Sequence, residues 1–284
     1  MPPVIVTAAT RIEPLSRAAW RTHLQTCTAA ATATAAAAKA ATGTGRAGGA
    51  SATARPEAWV RIPKAKEKKP FRYEDAVEEA LCFGWIDGII KTDAASGLVY
   101  QRFTPRRTKG SNWSEMNTQR VRLLEMQGLM TPAGWAALPP AALEEIRSGA
   151  LTQPPSLPPD FEKALQKADA VSLFRGHSPV YQRIRVAYLY DTPAAQIDPA
   201  VRKKRIETLV KMTVNRTVLG QQTRELLRKL EDLDASTATG KGKASETPAS
   251  PKAAAAKKLD KATRSPKKAT GKKVGPAPKK AAKK

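Results

Sequence analysis

Between Phe71 and Gly84 the apolar positions recur at helical spacing. Tyr73, Val77, Ala80, Leu81 and Gly84 share one face, while Glu74, Asp75, Glu78 and Glu79 share the other. This predicts a short amphipathic helix whose acids face water and suit the positive end of the helix dipole. Gly84 is its natural stop, since glycine takes the left-handed conformation that closes a helix. The period then changes. Ile89-Ile90 and Leu98 to Phe103 are rich in β-branched and aromatic residues, and Asp93 to Gly97 between them carries turn chemistry, which predicts a β-hairpin. A second helix is expected from near Ser111, where Ser111, Asn112 and Ser114 can each accept an orphan backbone N–H, to Gln127-Gly128. Thr131-Pro132 opens the next as cap and first-turn proline.

Beyond Gly134 the pattern is helical with breaks. Leu138-Pro139-Pro140 interrupts the chain, AALEEIRSG forms a short helix, and Gln153 to Pro159 holds four prolines, a stiff connector. From residue 160 to about 233 three faces stand out. They are Phe161, Leu165 and Ala168; Val180, Tyr181, Ile184, Ala187 and Tyr188 behind the start signal Ser178-Pro179; and Ile206, Leu209 and Val210 behind Asp198-Pro199, with Arg202 to Arg205 outward. Leu226, Leu230 and Leu233 complete a last helix too short for a sustained coiled coil.

Composition divides the chain further. Of 284 residues 41% are hydrophobic, but much of that is alanine. Thr28 to Arg55 is Ala, Thr and Gly with almost no large side chain, and Ser236 onward is Lys, Ala, Pro, Ser, Thr and Gly. Neither buries enough apolar area to offset the entropy of ordering, so both are expected to be disordered. The net charge is +24, of which residues 236–284 supply +13 and residues 1–55 supply +5. Two cysteines, Cys27 and Cys82, make no disulfide framework, and two distant histidines, His23 and His177, make no zinc site. No cofactor is expected. No run of about 18 apolar residues is present, so no membrane span is expected. The N-terminus reads as intracellular, in cytoplasm, nucleus or nucleoid, with an arginine-bearing organelle transit peptide as the alternative.

The words ALCFGWIDG, QRFTPRR, WSEMN and GLMTPAG, in this order and spacing, resemble the YdeI/OmpD-associated family, also called bacteriocin-protection proteins. The resemblance extends more weakly from about Ile12 to about Leu209. It implies a small α+β domain followed by a helical domain, in a family linked to resistance to cationic antimicrobial peptides and bacteriocins, with no established reaction. It also implies an opening strand and a helix carrying Trp20 and Leu24, with the next strand resuming at Glu57 after the insertion. The family commonly has Ser or Thr where Arg72 stands, so a helix cap is expected to be lost there. The expected organisation is therefore α+β: a small mixed sheet with short helices (1–27 and 56–149), interrupted by a disordered insertion (28–55). A Pro-rich linker (150–159), a helical domain (160–235) and a disordered basic tail (236–284) follow.

Four features carry candidate chemistry. In the tail Arg264, Lys267, Lys268, Lys272, Lys273, Lys279 and Lys280 form a linker-histone-like array that releases counterions from phosphates and binds nucleic acid with little base preference. Its bland counterpart is a solubilising tail or import signal. Arg102, Arg106, Arg107 and Lys109 lead into the Ser111 helix start, a candidate anion or ligand site with Trp85 and Trp113 as walls and Asn117 nearby. The bland reading pairs those arginines with Glu74, Glu78 or Glu115. Asp87 after Trp85 is a candidate base or, more simply, a turn-holding carboxylate. Cys82, between Leu81 and Phe83, reads as a small buried hydrophobe. No catalytic constellation is recognised. The leading expectation is a non-catalytic protection protein that binds an unknown protein partner, with a tail on nucleic acid. A chromatin- or nucleoid-associated DNA-binding protein and an enzyme for a small anionic substrate are the alternatives.

Overall fold

The hairpin expected around Asp93 is the edge of a four-stranded sheet. The computed structural model describes residues 11–13, 16–41, 56–63, 71–107, 113–190, 198–218 and 220–238. Strands β1 (Arg11–Ile12), β2 (Ala58–Arg61), β3 (Trp85–Thr92) and β4 (Val99–Pro105) lie in the order β1-β2-β4-β3. β1 runs parallel to β2 and the other pairs are antiparallel, so the sheet is mixed and the fold is α+β. Asp93 holds the turn, accepting from Ser96 Oγ at 2.6 Å and from the β1 residue Arg11 at 2.7 Å. A bulge between Asp87 and Ile90 lets the Gly88 carbonyl accept from Gln101 at 2.6 Å.

Helices α1 (Arg17–Ala41) and α2 (Tyr73–Cys82) pack on the sheet through Trp20, Leu24, Val77, Leu81, Trp85 and Phe103. The Trp20 indole N–H donates to the Ala76 carbonyl at 3.0 Å, satisfying its polar edge inside the core. The insertion expected from Thr28 begins inside α1 instead. Helical backbone runs on to Ala41, because alanine is the strongest helix former and Trp20 and Leu24 anchor the first turns. Residues 42–55 lie outside the described residues.

The acids of α2 are a correction. Glu78 and Glu79 do not face water: they are 3% and 2% exposed. Arg17 of α1 donates to Glu79 at 2.5 Å and to Glu78 at 2.8 Å, Arg21 donates to Glu79 at 2.7 Å, and Lys229 reaches Glu78 at 2.6 Å. The helix thus buries two faces, one apolar and one charged and paired. At its start the absent Ser or Thr is replaced by Asp75, whose carboxylate accepts the Arg72 backbone N–H at 3.0 Å. At its end Gly84 has φ +72°, and a Cβ there would stand 2.7 Å from Ala137 Cβ and 2.8 Å from the Ala133 carbonyl. That close approach comes from α4 (Pro132–Ala136), whose capping Thr131 also donates its hydroxyl to the Cys82 carbonyl at 2.6 Å.

Helix α3 runs from Glu115 to Met126 with Ser114 as its cap, later than the start expected near Ser111. Then come α5 (Pro140–Arg147), a 3-10 turn at Ala150–Thr152, α6 (Pro159–Lys167), α7 (Val171–Arg175), α8 (Pro179–Tyr190), α9 (Pro199–Val214) and α10 (Gln221–Ala238). Phe161, Leu165, Phe174, Tyr181, Leu189 and Leu209 form a second core. Leu123 of α3, Val180 and Ile184 of α8, and Leu226 and Leu230 of α10 form a third. Packing therefore crosses the proline-rich stretch. Tyr188, expected on the apolar face, is 44% exposed and lies under the Arg205 guanidinium.

Candidate functional site

Strand alternation puts Trp85 and Asp87 of β3 on the helix-covered side of the sheet, together with Phe103 of β4, which pairs with Asp87. Where β4 ends, the Arg106 backbone N–H donates to the Gly84 carbonyl at 2.8 Å and turns the Arg106 side chain inward, to 8% exposure. Its guanidinium lies over the Trp113 ring, 4.0 Å from the centroid. Burial pushes the Arg106 pKa down to about 10, with the negative charge of Asp87 opposing the shift.

Asp87 is itself engaged. Its carboxylate accepts the Tyr73 hydroxyl at 2.7 Å. Burial raises the Tyr73 pKa, and the Asp87 charge raises it further, so this phenol stays a donor; the positive charge of Arg120 acts in the opposite direction. Arg120 of α3 is 5% exposed and donates to the Asn117 amide oxygen at 3.0 Å and to Gln222 of α10 at 3.2 Å. Asn117 is in turn placed by the Ser114 cap, since Ser114 accepts its backbone N–H.

Five residues expected from the sequence thus fall in one neighbourhood, though not in one role. Asp87, Arg106, Trp113 and Asn117 belong to a polar cluster with Tyr73 and Arg120. Trp85 is a core residue at 2% exposure. Arg102 points to the other face of the sheet, where it pairs with Glu57 at 2.6 Å beside its strand neighbour Trp59. Arg107 is exposed. The expected start at Ser111 lies outside the described residues; α3 begins with Glu115, bonded to Arg183 at 2.7 Å, so its first turn carries its own carboxylate. Lys109, Ser111 and the tail residues Arg264, Lys267, Lys268, Lys272, Lys273, Lys279 and Lys280 lie outside the described residues.

Tyr73 and Arg120 were missed. Tyr73 reads as one more apolar-face residue of α2, and only the return of β3 shows that its hydroxyl meets Asp87. Arg120 has a local signal, three residues after Asn117 on the same helix face. Both histidines lie elsewhere: His23 stacks on Trp20 and His177 packs against Tyr181. Cys82 is fully buried, and burial above all pushes its thiol up to about 12. Among the described residues no group of three or more His, Cys, Asp or Glu is placed to hold a metal ion, and no helix is long and apolar enough to cross a membrane.

Comparison with curated proteins and with solved structures finds no match. Residues 49–137, which span the sheet from β2 onward, α2, α3 and α4, are similar to a family model described as a domain of unknown function, DUF8412.

Proposed function

We propose that this is a non-catalytic protection protein of the YdeI/OmpD-associated kind that works by binding. The folded part recognises a partner, and the basic residues 236–284 attach the protein to nucleic acid. One observation carries the recognition half: the words ALCFGWIDG, QRFTPRR and WSEMN, distant in sequence, contribute Asp87, Arg106, Trp113 and Asn117 to a single cluster. The composition of that cluster suits holding a group better than transforming one. Its carboxylate is already bonded to Tyr73, its other charged members are arginines, which stay protonated, and it has no histidine.

The nucleic-acid half rests on charge. Residues 236–284 hold 15 Lys and Arg against 2 acids. Cations at that density displace counterions along a phosphate backbone, and the resulting affinity falls steeply with salt. The test is duplex DNA binding over a salt series, full chain against a chain ending at Ala235. The full chain is expected to bind with a steep slope and the shorter one to lose most of its affinity. Equal slopes would move the contact to the folded part, and absence of binding by both would end the nucleic-acid reading.

A further inference from the structure

We propose that the groove between α6 and α9 docks a short acidic amphipathic helix of a partner protein. The groove encloses about 630 Å³ and shares no residue with the cluster around Asp87, so the two sites stand or fall separately. Its floor is apolar. Ala164 of α6 and the C-cap Ala168 lie one turn apart on one side, Ile206 and Val210 of α9 one turn apart on the other. Alanine is what leaves the space, since a methyl group at these positions stops short of α9 where a longer side chain would fill the gap. Along α9 the lining residues recur at helical spacing from Pro199 to Lys211, a stripe about 18 Å long. Val214, one turn beyond Val210, prolongs the stripe and is 46% exposed. An apolar stripe of this length between two helices is the form that takes a third helix through its positions i, i+3, i+4 and i+7.

Charge selects the partner. Lys167, Lys203 and Lys211 stand exposed on the rim. Of the two acids in the lining, Asp160 is already engaged at one end, where Arg202 pairs with it at 3.2 Å and the Tyr190 hydroxyl donates to it at 2.5 Å. Glu207, the other, sits on α9 between Lys203 and Lys211, four residues from each. The lining therefore holds four cations against two acids, a net of +2. A partner helix with Asp or Glu beside its apolar stripe meets that rim with opposite charge. The chain's own residues 236–284 do not, because they bring a net +13 to a cationic rim. A nucleic-acid duplex would match the lysines and leave the apolar floor uncovered.

The test titrates the full chain with a synthetic helix-forming peptide of about 15 residues, with leucines along one face and glutamates beside them. It follows the δ1-methyl resonance of Ile206, assigned with Ile206→Val, because the basic tail attracts any acidic peptide and only a local signal reports the groove. A saturable shift is expected, with an apparent Kd raised about tenfold in Lys167→Glu combined with Lys211→Glu. Lys163→Glu combined with Lys204→Glu makes the same change in net charge on α6 and α9 outside the lining, and should stay within about twofold of the parent. All four lysines are exposed, so both double variants keep the fold. Equal losses in the two reduce the effect to overall charge and overturn the groove, as does equal binding of a peptide with glutamine in place of leucine. Equal or tighter binding of a lysine-flanked peptide overturns the acidic partner. Absence of a shift with the acidic peptide overturns the docking site; a shift with duplex DNA instead assigns the lysines to phosphate, and one with rising protein concentration assigns the groove to a second copy of this chain.

Discussion

Replacing Glu79 by alanine tests the buried charged face of α2. The Glu79 side chain is 3% exposed and joins two arginines of α1, Arg17 at 2.5 Å and Arg21 at 2.7 Å. Truncation leaves each guanidinium with part of its shell. Arg17 keeps Glu78 at 2.8 Å, and Arg21 keeps the Leu129 carbonyl at 2.9 Å and its place over Phe83. Breaking a fully buried pair costs about 3–5 kcal/mol. The arginines are 31% and 32% exposed, so water recovers part of the loss and about 2–4 kcal/mol is expected for Glu79→Ala. Glu79→Gln, which keeps the shape and one acceptor, should cost less, about 1–2 kcal/mol. Urea denaturation of both variants supplies these values, and a double-mutant cycle with Arg21→Met should return a coupling of about 1–2 kcal/mol. A Glu79→Ala chain within about 0.5 kcal/mol of the parent would refute the reasoning, since that is the cost of a surface substitution.

Two further outcomes are expected. Gly84→Ala should lose about 2–3 kcal/mol in the same assay, because φ is +72° and the new methyl group meets Ala137 and the Ala133 carbonyl; an unchanged midpoint would mean that α4 can withdraw. Burial pushes the Glu225 pKa up, but the hydrogen bond and charge of Arg72, aided by Lys229, outweigh it and hold the pKa below its ordinary value. Its contribution is present above the unfolded pKa and lost as pH falls through the folded one. The unfolding free energy of the parent, from urea titrations, should therefore drop more than that of Glu225→Gln between about pH 5 and pH 3, by up to about 1 kcal/mol since Arg72 is half exposed; parallel curves would contradict this.

The local grammar of this chain was legible without its structure. Asp93 and Gly97 fix the hairpin, and Thr131-Pro132 and Asp198-Pro199 open helices with the expected side-chain caps. These features depend on atoms within about four residues, so neighbouring letters determine them. The helix around Val77 was legible for the same reason, down to its glycine stop.

Burial and pairing belonged to the tertiary structure. Periodicity assigned Glu78 and Glu79 to water, because a period measures which residues share a face and not what covers it. The covering groups come from Arg17 and Arg21, about sixty residues before, and Lys229, about one hundred and fifty after. The candidate site divides along the same line. Its residue types could be read from the motif words, but Tyr73 joined it only through Asp87, and Arg102 left it because strand alternation turns it to the opposite face. A sequence states which side chains alternate and which residues can start or stop an element; which charges lose their water, and against which partners, is decided only when distant segments pack.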